Sequence, residues 1–300
     1  MKSFLFALSG LAITHPLAAF AFPEFSERGR EVMAQKTSGN WVAQGEDLLG
    51  TAYNFEGIVA LNNCSGSLVR YTDSQNDDRA LVLTNGHCVN LLDPGQVIVD
   101  EPSSRRFQVL DNNSENLGSV RATKLLFATM TRTDLAIYEL QETYADISDR
   151  YDTQPLTLAD QKPEQGTAIE VVSGYWKRGY SCSIEKFVTE LREGRWSMYD
   201  SVKYSIPGCE VIGGTSGSPI IQKGTRTVVA INNTGNEDGK KCLENNPCEV
   251  DEKENITWEK GWNYGQQTYW IYTCRSEQGN IELDQPGCLL PKPQQNSIHN

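Results

Sequence analysis

Histidine is scarce in this chain of 300 residues, which contains only three. His15 lies in the apolar N-terminal segment and His299 is the next-to-last residue, so His87 is the only histidine in the body of the chain. No two cysteines are spaced as a Cys-x-x-Cys pair. The ligand pairs of the usual zinc sites are therefore missing, and we expect neither a metal nor another cofactor.

Positive charge and long apolar runs are also in short supply. The chain has 27 Lys and Arg against 39 Asp and Glu, which gives a formal net charge of −12. This acidic balance argues against nucleic acids and anionic membranes as partners. No run reaches the roughly 18 consecutive apolar residues that a membrane-spanning helix needs.

The N-terminal segment MKSFLFALSGLAITHPLAAFAFPEF has the layout of a secretory signal peptide. A positive residue, Lys2, precedes the apolar residues 4–13, and Ala19-Phe20-Ala21 forms a small-x-small cleavage site. An N-terminal core helix is the alternative. We interpret residues 1–21 as a signal peptide, which predicts a secreted or periplasmic protein without a membrane anchor.

Export to an oxidising compartment makes disulfide bonds the expected role of the cysteines. The chain has eight cysteines, all after residue 21, and eight cysteines allow roughly a hundred pairings. Joining neighbours in sequence is the simplest choice. It predicts the bonds Cys64–Cys88, Cys182–Cys209, Cys242–Cys248 and Cys274–Cys288.

From about residue 55 onwards, short apolar runs recur between turn residues. Runs such as ALVLTN, LAIYEL, TAIEVVS and RTVVAIN are typical of short antiparallel strands. A polar break at 142–154 separates two halves. The sequence therefore predicts an all-β domain at 51–275, with halves at about 51–150 and 151–275. A pro-segment or N-terminal extension at 22–50 would precede it, and a polar tail at 276–300 would follow it.

Three residues in these runs are suited to nucleophilic catalysis. A serine hydroxyl needs a neutral imidazole to take its proton, and the imidazole needs a carboxylate on its other nitrogen. His87 follows an apolar run in ALVLTNGHCVN, Asp134 begins one in TDLAIYEL, and Ser216 lies in the Gly-rich turn GGTSGSP. Each alone has an ordinary alternative: a structural histidine, a turn aspartate and a flexible loop. Together they supply the three groups that a serine hydrolase requires.

The same segments resemble the trypsin/chymotrypsin-like serine peptidases. CSGSLV at 64–69 and LTNGHC at 83–88 are similar to the cysteine strand and histidine loop of that family. TDLAIYEL is similar to its aspartate strand and GGTSGSP to its nucleophile loop, and the order His, Asp, Ser agrees. The resemblance covers about residues 55–235. It implies two six-stranded antiparallel β-barrels, an active site in the cleft between them, and a Cys64–Cys88 bond that closes the histidine loop.

The resemblance also implies a role for each matching residue. Ser216 would be the nucleophile, His87 the general base and acid, and Asp134 the orienting carboxylate. The backbone N–H groups of Gly214 and Ser216 would form the oxyanion hole. The implied activity is hydrolysis of peptide bonds in proteins or peptides through an acyl-enzyme, by a monomer.

Three positions bear on activation and specificity. Thr215 replaces the aspartate that animal digestive members pair with a freed N-terminus, so we do not expect that ion pair, and GGTSGSP is closer to bacterial exported members. Glu210 lies at the offset at which trypsin has the aspartate that selects Lys or Arg. It suggests a preference for a basic residue before the cleaved bond (P1), unless its side chain points to solvent. Asn232 is expected in the opposite pocket wall, where glutamyl endopeptidases have a histidine, which disfavours acid-selective cleavage.

Two other functions stay open at this point. A catalytically silent trypsin-like binding or adhesion protein would keep the scaffold without the reaction, and an esterase would use the same triad on another substrate. The aromatic-rich stretch at 258–272 could form a carbohydrate or peptide platform or pack onto the second barrel. Reaction of Ser216 with a fluorophosphonate distinguishes the silent scaffold from the two hydrolases.

Overall fold

Sixteen β-strands and two short helices occur in residues 53–276 and 278–293, the part of the chain that the computed structural model describes. The helices are α1 (Tyr144–Tyr151) and α2 (Tyr269–Thr273). The predicted signal peptide at 1–21 and the predicted pro-segment at 22–50 lie outside the described residues. In chain order, the strands are β1 (Ile58–Ala60), β2 (Ser65–Arg70), β3 (Arg79–Thr84), β4 (Val97–Pro102), β5 (Arg106–Leu110), β6 (Asn116–Thr129), β7 (Leu135–Thr143), β8 (Leu156–Leu158), β9 (Ala168–Ser173), β10 (Arg178–Glu193), β11 (Trp196–Tyr204), β12 (Pro219–Gln222), β13 (Thr227–Gly235), β14 (Cys248–Val250), β15 (Ile256–Thr257) and β16 (Asn263–Gln267).

The strands form two closed antiparallel barrels of six strands each. In the first barrel the order is β1-β5-β6-β7-β3-β2, and pairing of β1 with β2 closes it. In the second the order is β13-β12-β9-β10-β11-β16, and pairing of β13 with β16 closes it. The predicted all-β fold of two six-stranded barrels is confirmed.

The barrels are joined along one side by β8, which runs parallel to both β2 and β13. Strand β3 shows how the sequence produces this packing, because alternate side chains of a strand point to opposite faces. Val82 lies in the core of the first barrel, whereas Leu81 and Leu83 lie in a second apolar cluster that also contains Val228 and Ile231 of the second barrel. Both faces of β3 are therefore buried, which explains its nearly continuous apolar sequence.

One hairpin of the second barrel extends across to the first. Strands β10 and β11 pair over their outer ends as far as Glu193 and Trp196. The Trp196 side chain is buried in the core of the first barrel, and its Nε1 donates a hydrogen bond of 2.8 Å to the carbonyl oxygen of Leu92. Arg195 forms an ion pair with Asp93 beside this contact. The hairpin thus brings residues of the second barrel next to the histidine loop.

The polar break between the halves contains helix α1. Thr143 accepts a hydrogen bond from the backbone of Asp146, and the Asp146 side chain accepts one from the backbone of Thr143. This reciprocal capping box satisfies N–H groups that the first turn of a helix leaves without partners. The helix begins at the break because the sequence supplies both capping residues.

All four disulfide bonds predicted from neighbouring cysteines are present: Cys64–Cys88, Cys182–Cys209, Cys242–Cys248 and Cys274–Cys288. The last one holds part of the segment predicted as a polar tail against the body of the protein. Leu290 in this segment is buried in the apolar cluster that joins the barrels. Among the described residues, no helix has both the length and the apolar character to cross a membrane.

Candidate active site

His87 lies in a short loop that follows β3, where the chain turns through Asn85 and Gly86. The Asn85 side chain donates a hydrogen bond of 2.8 Å to the carbonyl oxygen of Asp134. A Cβ atom on Gly86 would lie 2.0 Å from the carbonyl oxygen of Thr129, so only glycine allows this close approach. The loop is therefore fixed against the start of β7, and the Cys64–Cys88 bond holds its other side.

Asp134 directs both of its carboxylate oxygens at His87. Its Oδ2 lies 2.7 Å from His87 Nδ1, and its Oδ1 accepts a hydrogen bond of 3.0 Å from the His87 backbone N–H. The carboxylate is 3% exposed and the imidazole 25% exposed. These two contacts set the ring orientation and place the proton of the neutral ring on Nδ1, which leaves Nε2 as the basic nitrogen.

The pKa of His87 is raised above its ordinary value. Burial by itself would lower this pKa, but the charge of Asp134, the hydrogen bond to Asp134 and the charge of Glu193 raise it. The imidazole is therefore a stronger base than a histidine in water, which favours its acceptance of a proton.

The loop at 211–218 carries Ser216 and is shaped by two glycines with positive φ, Gly214 at 88° and Gly217 at 77°. The ring of Trp176 packs beneath Gly214, and its Nε1 donates a hydrogen bond of 2.8 Å to the carbonyl oxygen of Gly213. In the described part of the chain, no acceptor bonds the backbone N–H of Gly214 or of Ser216. Both N–H groups can therefore donate to an oxygen atom of a bound molecule.

The loop packs closely against the first barrel at Gly217. The backbone N–H of Ser65 donates a hydrogen bond of 2.8 Å to the carbonyl oxygen of Ser216. A Cβ atom on Gly217 would lie 2.1 Å from the carbonyl oxygen of Ser65 and 2.2 Å from Oγ1 of Thr84. This contact sets the position of Ser216 relative to the histidine loop.

The structure brings His87 and Asp134 into direct contact, but the hydroxyl of Ser216 points elsewhere. Ser216 Oγ donates a hydrogen bond of 3.3 Å to the carbonyl oxygen of Asn233, and no hydrogen bond joins it to His87 among the described residues. Catalytic hydrogen bonds in many enzymes form only when substrate binds.

The two predicted pocket residues have different environments. Asn232 is buried, its Oδ1 accepts a hydrogen bond of 2.8 Å from the hydroxyl of Tyr204, and its backbone bonds Gly217 and Ser218. It supports the nucleophile loop from β13. The side chain of Glu210 is exposed and directly precedes the loop at 211–218.

Asn263 is a buried residue beside the site that the sequence interpretation missed. Its Nδ2 donates a hydrogen bond of 3.2 Å to the carbonyl oxygen of Cys209, and its Oδ1 occupies the space beside Gly235. It therefore links the start of the nucleophile loop to the end of β13. No local sequence pattern distinguishes this asparagine from others in the chain.

Glu193 is the second residue that the sequence interpretation missed. It precedes the turn of the β10–β11 hairpin, where Gly194 has a positive φ of 54°. Its Oε1 accepts hydrogen bonds of 2.9 Å from Oγ1 of Thr234 and 2.8 Å from the backbone N–H of Asn245. The Glu-Gly-Arg segment between two strand-like runs indicates a hairpin in the sequence, but not where its tip lies.

One group of potential metal ligands occurs among the described residues, formed by Cys64, His87 and Cys88. The two sulfur atoms are joined in a disulfide bond, so neither is available as a thiolate ligand. The group therefore supports the histidine loop and does not fit a metal ion.

Two antiparallel barrels with His87, Asp134 and Ser216 at their junction define a serine-type endopeptidase. A model of the trypsin-like peptidase domain matches residues 64–231, and the chain belongs to this family. No match is found among curated proteins.

Several solved structures are similar to this chain at low identity. A Glu endopeptidase in complex with MPD is 16% identical, with 71% of this chain and 85% of that chain covered and a TM-score of 0.41. The MamO protease domain from Magnetospirillum magneticum is 13% identical, with 72% and 93% covered and a TM-score of 0.43. The active form of the Rv3671c protease from M. tuberculosis is 13% identical, with 78% and 81% covered and a TM-score of 0.40.

Proposed function

We propose that this protein is an exported serine endopeptidase that hydrolyses peptide bonds through an acyl-enzyme, with Ser216 as the nucleophile. The observation that carries the proposal is the double contact of Asp134 with His87, because it fixes the tautomer that leaves Nε2 free to take a proton. The charge of Asp134 then stabilises the imidazolium that forms.

The reaction has two halves. Ser216 Oγ gives its proton to His87 Nε2 as it attacks the substrate carbonyl, and the backbone N–H groups of Gly214 and Ser216 stabilise the oxyanion. His87 then donates this proton to the leaving amine, which leaves an ester on Ser216. Water, deprotonated by His87, hydrolyses this ester and regenerates the serine. One chain supplies all of these groups, so we propose that the enzyme acts as a monomer.

Export is supported by the four disulfide bonds, which persist in oxidising compartments. We propose that residues 1–21 act as the signal peptide and that the mature protein is secreted or periplasmic. The compartment can be tested by locating the disulfide-bonded protein in cell fractions of the producing organism.

For the residue before the cleaved bond, we propose a preference for Lys or Arg. The support is the acidic side chain of Glu210, which directly precedes the nucleophile loop at 211–218. Its exposed position predicts a modest preference, because water screens a charge pair there. Mass spectrometry of the cleavage products of a peptide library measures this preference, and a preference for acidic residues would contradict it.

Covalent labelling tests the nucleophile. Wild-type protein should react with a fluorophosphonate, and Ser216→Ala should not react and should lose hydrolysis. Ser218→Ala is the matched control, because Ser218 Oγ is buried and donates to the carbonyl oxygen of Thr215 within the same loop. Absence of labelling in the wild type would favour a silent binding protein, and retained labelling in Ser216→Ala would exclude Ser216 as the nucleophile.

A further inference from the structure

Glu193 is a partly buried carboxylate with one oxygen left open. Its Oε1 accepts the two hydrogen bonds from Thr234 and Asn245. Its Oε2 accepts no hydrogen bond from the described residues, and it does not belong to the side-chain oxygens sealed inside the protein without a partner. Oε2 can therefore be reached from outside.

The described part of the chain places no lysine or arginine against this carboxylate. Within residues 53–276 and 278–293, no Lys or Arg nitrogen lies within 4.0 Å of Glu193. The two arginines nearest in sequence have other partners, since Arg192 is paired with Glu190 and Arg195 with Asp93. A partly buried carboxylate without a counterion is costly to ionise, and an external cation would lower that cost.

The position of Glu193 relates it directly to the candidate active site. Thr234 follows Asn233, whose carbonyl oxygen holds the hydroxyl of Ser216. The hairpin that carries Glu193 also places Trp196 against Leu92, in the segment that follows His87, and the charge of Glu193 contributes to the raised pKa of His87. The hairpin tip therefore presents an open carboxylate near the histidine loop.

An extended peptide places successive side chains on opposite sides. With P1 between the nucleophile loop and β13, this alternation would direct the preceding side chain, P2, to the opposite face of the peptide, on the side of the histidine loop. We propose that Glu193 binds a positively charged P2 side chain, Lys or Arg, through its open oxygen. This inference deepens the proposed function, and rests on it, by naming a second substrate position that the protein selects.

Ionisation of Glu193 makes the selection depend on pH. Burial raises the pKa of Glu193 to about 7, so the carboxylate charge increases between pH 6 and pH 8, whereas a lysine side chain stays cationic. The charged groups that face Glu193 from the first barrel are His87 and Asp134. In the loop that donates the Asn245 N–H, Lys240 is paired with Asp238.

The test compares two fluorogenic peptides that differ only at P2, which is lysine in one and its neutral analogue norleucine in the other. We expect wild-type kcat/KM at pH 8 to favour the lysine peptide by about tenfold or more, as a charge-assisted hydrogen bond permits. The ratio should fall at pH 6. Taking the ratio cancels the titration of His87, which affects both peptides alike.

Glu193→Gln removes the charge but keeps an oxygen that can accept the bonds from Thr234 and Asn245. We expect the ratio to fall to within about twofold of one at both pH values, with unchanged thermal unfolding. Glu244→Gln is the matched control, because Glu244 is exposed on the neighbouring loop and its loss makes the same charge change. The control should keep the wild-type ratio.

Binding of the same two peptides to Ser216→Ala, measured by calorimetry, provides a readout that does not need catalysis. A lysine preference in binding that Glu193→Gln removes supports the inference even if the wild type hydrolyses neither peptide, a result that would overturn the proposed function alone. Equal binding and equal turnover of the two peptides, or a preference that persists in Glu193→Gln, would overturn the inference.

Discussion

Each barrel contributes one carboxylate whose charge raises the pKa of His87, and the two barrels hold these carboxylates in different ways. Asp134 of the first barrel is almost fully buried, and both of its oxygens contact His87. Glu193 of the second barrel lies at a hairpin tip, with one oxygen bonded to the protein and the other open. The comparison distinguishes a carboxylate whose contacts orient the ring of His87 from one with an oxygen that an external group can reach.

The largest loss of activity should follow from replacing Asp134, the buried carboxylate. Asp134→Asn keeps the side-chain shape but directs an amide at His87, which favours the wrong tautomer and leaves the imidazolium without its counterion. We expect kcat to fall by about 10⁴-fold, as measured with a peptide that is neutral at P2. Glu193→Gln should change kcat for this peptide by less than about tenfold, and equal losses in the two variants would remove the distinction between the carboxylates.

A smaller loss of activity should follow from Gly217→Ala, which disturbs the contact between the nucleophile loop and the first barrel. In Gly217→Ala the new Cβ meets Ser65 and Thr84, and alanine is strained at a φ of 77°. We expect the free energy of unfolding to fall by about 2 kcal/mol or more and kcat/KM by about 10²-fold, as followed by denaturant unfolding and peptide hydrolysis.

Gly224→Ala is the control for this substitution, because Gly224 also has a φ of 77° but no atom lies within 4 Å of the added Cβ. It carries the backbone strain without the collision, so it should lose about 1 kcal/mol of stability and keep its activity. Equal behaviour of the two variants would show that the contact with the first barrel does not position Ser216.

The smallest effect should appear in the pH dependence of kcat/KM when Glu193 loses its charge. The negative charge of Glu193 contributes to the raised pKa of His87, so its removal in Glu193→Gln should lower this pKa. The acid limb of kcat/KM for a peptide neutral at P2 should then move to lower pH, because the base becomes deprotonated earlier. Glu244→Gln should leave the limb in place, and a shift of the Glu193→Gln limb to higher pH would contradict the electrostatic coupling.

The fold and the three candidate catalytic residues could be predicted because their signals are local. Strands such as β3 and β7 appear as short apolar runs, and His87 stands out because the other two histidines lie near the chain ends. Ser216 lies between Gly214 and Gly217, which both have positive φ values in the structure. Each of these signals lies within a few residues of sequence, where periodicity and turn chemistry can be recognised.

Glu193 could not be predicted in this way because its partners are distant in sequence. Thr234 and Asn245 lie 41 and 52 residues away, and only the closure of the second barrel brings them to the hairpin tip. The same applies to Asn263, which reaches back 54 residues to Cys209. The capping pair Thr143 and Asp146 is a different case, since its spacing is visible in the sequence and indicates the helix in the polar break.

The close contact of Gly217 with Ser65 has a consequence for the order of events during folding. On the proposed roles, the base and its carboxylate belong to the first barrel and the nucleophile to the second, so neither barrel alone contains a complete set. During synthesis, the residues of the first barrel emerge from the ribosome before those of the second barrel. Proteolytic activity therefore arises only when the barrels dock, and a nascent or half-folded chain cannot digest itself or its neighbours.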